Sequence, residues 1–220
     1  VSDIAQNIIK IKTEIPANVK LIAVSKTHPA PLILEAYRAG LRDFGENKVQ
    51  ELTAKAEQLP PDIHWHLIGH LQTNKVKYIA PFVHLIHAVD SLKLLTEIDK
   101  RALQHGRIIN VLLQVHIASE ETKFGLNILE LEEILETVDR NTFKNVSLKG
   151  LMGMATNTDD SSLVHDEFSS LFELFNKYGR RYNWDVLSMG MSSDYPIAIA
   201  CGSNMIRVGS AIFGNRNYNM

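Results

Sequence analysis

Strand-like and helix-like segments alternate along the whole chain, and that alternation limits the fold more than any other feature. A helix is expected over residues 1–14, with Ile4, Ile8, Ile11 and the following Ile15 spaced for one apolar face. Residues 19–25 form a buried strand. Pro29 and Pro31 open a helix that Gly40 closes. A strand at 42–45 and a helix from Asn47 to Leu59 follow, stopped by Pro60-Pro61. Further strands are expected at 63–68, 83–88, 108–117, 146–152, 186–189 and 205–208. The helices between them fall at 73–80, 91–105, 126–138, 160–178 and 194–200.

Strict alternation means parallel strands joined by right-handed crossovers. Eight such units, with a helix ahead of the first strand, predict a single (β/α)8 TIM barrel domain over residues 1–220. An open doubly wound sheet is the competing arrangement. The first strand lacks the Gly-x-Gly-x-x-Gly turn that such sheets use for dinucleotides.

A barrel places its site at the C-terminal strand ends, and the chemistry-bearing motifs fall there. Lys20-Leu21-Ile22-Ala23-Val24-Ser25-Lys26 is an apolar run ending on an amine. A lysine whose stem lies in an apolar wall loses its proton readily and can attack an aldehyde. After strands seven and eight come the small, glycine-centred turns 188–193 and Gly209-Ser210. Backbone N–H groups of such turns, with the hydroxyls of Ser192 and Ser210, make a phosphate cradle. Either turn alone reads as an ordinary capped loop; two on adjacent late strands point to phosphate. An amine for an aldehyde beside a phosphate cradle suits pyridoxal 5′-phosphate (PLP), and equally a Schiff-base aldolase acting on a sugar phosphate. Arg207, between Ile206 and Val208, points inward if its neighbours face the helices. It can then face a pyridine nitrogen and leave it unprotonated, which weakens the ring as an electron sink.

Several segments together resemble the pyridoxal phosphate homeostasis proteins of the YggS/PROSC type. They are the Lys26 run, Phe44-Gly45-Glu46-Asn47, Trp65 to Lys75, Lys123-Phe124-Gly125, Leu187 to Asp194, Ile206-Arg207-Val208-Gly209 and Ile212-Phe213-Gly214. The resemblance covers almost the whole chain. It departs from the family pattern at Lys48, at Thr156 and at Asn204-Met205. It implies a fold-type III barrel similar to the N-terminal barrel of alanine racemase. It further implies Lys26 as the aldimine lysine and Asn47 beside the cofactor. Phosphate contacts would come from Met189, Gly190, Ser192, Gly209 and Ser210, with Arg207 near the ring nitrogen. His70 is expected as a polar contact near the site.

The family role is cofactor binding and homeostasis without established turnover, so no catalytic residue is assigned. A slow racemase-like enzyme is the alternative. Racemisation needs a second base, and the sequence given, ending at Met220, leaves no room for the added β domain that supplies one in alanine racemase. Tyr195 and Tyr218 are the nearest substitutes, more simply read as core or surface residues.

Other classes find little support. Net charge is −2 and the pI about 6.5, with no basic cluster interleaved with aromatics, so no nucleic-acid partner is expected. No apolar run approaches the roughly 20 residues of a membrane span. The start, Val-Ser-Asp-Ile, matches no signal or transit peptide. The single Cys201 fits a reducing compartment. A cytoplasmic monomer is expected, with PLP and PLP-requiring apoenzymes as partners. His64 and His66 share a strand face as a metal pair might, but no carboxylate or Cys lies near in sequence, and no metal is expected. Glu46 reads as a cap on the helix after Asn47.

Overall fold

The computed structural model describes residues 2–120, 122–140 and 142–214. Eight parallel strands close into a barrel in sequence order. The order is α1 (Asp3–Glu14), β1 (Lys20–Val24), α2 (Ala30–Arg38), β2 (Asp43–Glu46), α3 (Val49–Gln58), β3 (His64–Leu67), α4 (Val76–Ile79), β4 (Leu85–Val89), α5 (Leu92–Gln104) and β5 (Ile109–Gln114). Then come α6 (Ile128–Asp139), β6 (Val146–Met152), α7 (Ser161–Tyr182), β7 (Val186–Ser188), α8 (Tyr195–Ala200), β8 (Met205–Val208) and α9 (Ser210–Phe213). A 3₁₀ turn at Thr73–Lys75 leads into α4. The first and last strands meet with Ile22 opposite Arg207, so β1 and β8 present their ends side by side.

The helices begin where local chemistry satisfies their first N–H groups. Ser2, Ser91 and Asp160 accept from the first turns of α1, α5 and α7, and Asn127 forms a reciprocal capping box with Glu130 on α6. One apolar layer lies between strands and helices, with Phe44, Leu67, Ile86, Leu113, Phe168 and Ile206 among its buried members. A second, smaller cluster fills the barrel itself: Ile22, Leu85, Ala88, Leu112, Met152 and Met205. Alternation on β8 sends Ile206 and Val208 outward to the helices and Arg207 into the barrel.

Several expectations shift in detail. The fifth strand ends at Gln114 rather than residue 117; beyond it the Val115 N–H donates to the Met152 carbonyl and Val115 forms an isolated bridge to Leu126. The seventh helix runs on to Tyr182, with Gly179 packed beside Trp184, and Asn183 ends it in the left-handed region. A helix turn, α9, follows Gly209. β5 and β6 slip register between Val111 and Leu112. Gly150 sits at that slip with φ +151°, where a Cβ would strike the Val186 carbonyl. No described helix is long and apolar enough to cross a membrane.

Candidate functional site

Lys26 leaves the end of β1 on a turn held from three sides. The Ser25 hydroxyl donates to Glu46 Oε1 at 2.5 Å, and Lys55 Nζ donates to both the Ser25 carbonyl (2.8 Å) and Glu46 Oε1 (2.7 Å). Thr27, next in sequence, has φ +66°, and its N–H donates to Glu51 at 2.6 Å. A non-glycine residue holds that conformation at a cost, met here by the Glu51 carboxylate. Glu46 is therefore no helix cap, and α3 starts at Val49 with Lys48 as its N-cap. Its carboxyl is buried at the barrel wall. Burial pushes its pKa up, against the nearby Lys55 and the Ser25 bond.

Lys26 faces a cavity of about 610 Å³ at the C-terminal end of the barrel, within the size range of small-molecule sites. Asn47, His70, Ser192, Arg207, Gly209 and Ser210 share its wall, so most of the residues singled out in sequence converge there. Met189 and Gly190 lie behind that wall. The Met189 N–H donates to the Met205 carbonyl, and the Gly190 carbonyl accepts the Arg207 N–H. The Ser192 hydroxyl accepts the Gly209 N–H at 3.1 Å, tying the two glycine turns into one rim. Asp194 fixes the first of them by accepting the Met191 N–H at 2.5 Å. Burial raises its pKa, opposed by that bond and by Arg207. Gly69 abuts Asn47, where a Cβ would press on the Asn47 backbone. His70 stands at the rim, bonded through Nδ1 to Asp90 at 2.9 Å and stacked on Phe124 at 4.0 Å.

Sequence reasoning missed His28, Gln114 and Phe124 on the cavity wall. Gln114 carried a readable signal: it is the polar end of the apolar run Val111-Leu112-Leu113 at a strand terminus. Its amide donates to the Phe124 carbonyl at 2.8 Å. Tyr195, considered as a second base, donates instead to Glu14 on α1 at 2.8 Å, and it does not line the cavity. Tyr218 lies outside the described residues.

Arg207 is 3% exposed. It donates to Ser188 Oγ at 2.7 Å and to the Gly153 carbonyl at 3.0 Å. Burial lowers its pKa, against the pull of Asp194, to about 10, so it remains a cation at neutral pH. Behind it a hydrogen-bonded file crosses the barrel. Ser188 Oγ meets His87 Nδ1 at 3.0 Å, His87 Nε2 meets His66 Nδ1 at 2.9 Å, and His66 Nε2 meets Asp43 Oδ1 at 3.0 Å. Burial holds both histidines below their ordinary pKa and neutral. Burial also opposes the charge on Asp43, but the His66 bond and nearby Lys20 outweigh it and bring that carboxyl to about 2. An ionised Asp43 needs the proton on His66 Nε2. Each proton in the file then points one way, from the Arg207 cation to the Asp43 anion.

Residues 1–217 match the family model described as alanine racemase, N-terminal domain. Among curated relatives, a protein of Aquifex aeolicus named pyridoxal phosphate homeostasis protein is 42% identical over 203 residues, covering 90% of this chain and 88% of its own. One of the same name from Vibrio alginolyticus is 38% identical, covering 99% of each chain. The chain belongs to the pyridoxal phosphate homeostasis protein family. Among solved structures, PipY of Synechococcus elongatus has been determined with PLP bound. It matches at a TM-score of 0.88 and 37% identity, over 96% of this chain and all of its own. An alanine racemase of Clostridium difficile matches at a TM-score of 0.80 and 14% identity, over 99% of this chain and 58% of its own. That likeness shows that this chain and the racemase share the barrel fold.

Proposed function

We propose that the protein binds pyridoxal 5′-phosphate, with Lys26 as covalent anchor, and serves intracellular PLP homeostasis without a catalytic turnover of its own. The observation that carries this is one cavity with an amine, a buried guanidinium and two linked serine–glycine turns in its wall. These groups suit an aldehyde, a ring nitrogen and a phosphate in turn. When bound, the cofactor supplies an aldehyde for reversible attachment to amines and a ring that draws electrons.

The chain's own residues divide the work. The Glu46, Glu51 and Lys55 cluster fixes the Lys26 turn. Ser192, Gly209 and Ser210 would hold the phosphate, with Met189 and Gly190 shaping the turn behind them, and Asn47 and His70 would flank the ring. Arg207, a cation locked by Ser188 and Gly153, keeps a proton off the ring nitrogen by offering one of its own. That favours holding the cofactor over carbanion chemistry. The names of the relatives support the same role, whereas the likeness to racemases is one of fold. The reading takes residues 1–220 as one cofactor-binding domain, a cytoplasmic monomer that passes PLP to apoenzymes requiring it.

The test is a visible spectrum of the purified protein after adding PLP. The account expects a yellow protein whose band is absent in Lys26→Ala. A colourless wild type that cannot be reconstituted would overturn it. Turnover of an amino acid, lost in Lys26→Ala, would instead establish an enzyme.

A further inference from the structure

At the opposite end of the barrel from Lys26, four side chains with metal-binding donors meet. His64 and His66 share one face of β3, Asp43 starts β2 in register with His64, and His84 leads into β4. Asp43 Oδ1 lies 3.3 Å from His64 Nδ1 and 3.0 Å from His66 Nε2. The His64 and His84 rings stack at 4.4 Å. Donor atoms of Asp43, His66 and His84 all lie within 4.8 Å of one another. The carboxylate missing from the local sequence is thus supplied by the neighbouring strand.

We propose that Asp43, His64, His66 and His84 form a binding site for a Zn²⁺-class divalent ion at the N-terminal mouth of the barrel. Three imidazoles and one carboxylate make the borderline donor set that suits zinc, and are poor ligands for calcium or magnesium. Metal–ligand bonds of about 2.0–2.1 Å in a tetrahedral site set neighbouring donors roughly 3.4 Å apart. Two of the separations are already near that value; His84, half-buried, closes on Asp43 and His66 by turning its ring, and His64, now stacked on His84, completes the set by turning off that ring.

A cavity of about 300 Å³ has His66 and His84 in its wall and gives an ion its way in. Lys20, 3.6 Å from Asp43 and 46% exposed, now balances that carboxylate and can swing into solvent as the ion arrives. His66 is held in place by His87 through its other ring nitrogen, as metal-bound histidines usually are.

An ion on His66 Nε2 leaves the ring proton on Nδ1. His87 then accepts at Nε2 and donates from Nδ1, and Ser188 accepts from both His87 and Arg207. The file of protons reverses with no net release. The site requires nothing of Lys26, so it stands apart from the reading of the cofactor cavity.

The experiment is titration of the chelator-treated protein with Zn²⁺ by calorimetry and with Co²⁺ by visible absorption. One ion per chain with a four-coordinate Co²⁺ band is expected, weakened at least about tenfold in His84→Ala and in Asp43→Asn. Circular dichroism checks that both variants fold. In ¹⁵N spectra the His87 proton moves from Nε2 to Nδ1 on Zn²⁺ loading. Absence of stoichiometric binding, or affinity unchanged in both variants, overturns the proposal.

Discussion

Lys26 and Arg207 announce themselves because each interrupts an apolar strand run with a charge. What places them does not. Glu46 reads locally as a helix cap, yet it serves Ser25 and Lys55, residues that join it only when β2 lies beside β1 and α3 folds back. Asp194 is similar: in sequence it marks the start of α8, and in the fold it accepts the Met191 N–H that shapes the cavity rim. Because burial disfavours its charge, the acceptor matters more than the ionisation. Asp194→Asn is expected to change stability by less than about 1 kcal/mol, whereas Asp194→Ala strands that N–H and costs about 1–2 kcal/mol. Urea unfolding of both variants checks this; equal losses would mean the charge, not the bond, is what stabilises.

At the scale of elements, most strands were legible because parallel strands buried on both faces read as continuous apolar runs. Errors fall where an element is too short or too permissive. The four residues of α9 carry no period, and α7 continues past the expected end at 178 to Tyr182. The loop after β5 is one place where irregular chain is pinned by charge. Glu120 accepts the Asn157 N–H at 3.0 Å and pairs with Lys123 at 2.9 Å. Those bonds, the Asn157 one foremost, hold its carboxyl down to about 2 from an ordinary 4.5. A carboxyl with a depressed folded pKa contributes stability that is present above about pH 4.5 and is lost as pH falls through about 2. The stability difference between wild type and Glu120→Gln should therefore be constant at neutral pH and close as pH drops from 4.5 towards 2. Denaturant unfolding across that range measures it, and a difference independent of pH would contradict the assignment.

At the scale of the whole molecule, the two ends of the barrel differ in how readable they were. The cofactor end gathers the strand termini, and eight parallel units make that convergence predictable from topology. The file from Arg207 through Ser188, His87 and His66 to Asp43 draws one residue from each of five strands. No local pattern links them; only closure of the barrel and its register do. His66 and His87 bond each other and, through their far ring nitrogens, Asp43 and Ser188.

The central claim is that the amine of Lys26 and the phosphate turns hold one molecule of PLP between them. Its most direct test is borohydride reduction of the PLP-loaded protein followed by peptide mass mapping. The account predicts one phosphopyridoxyl group per chain, on the peptide carrying Lys26, with other lysines unmodified at stoichiometric loading. Label spread over surface lysines, or fixed on a lysine other than Lys26, would contradict it.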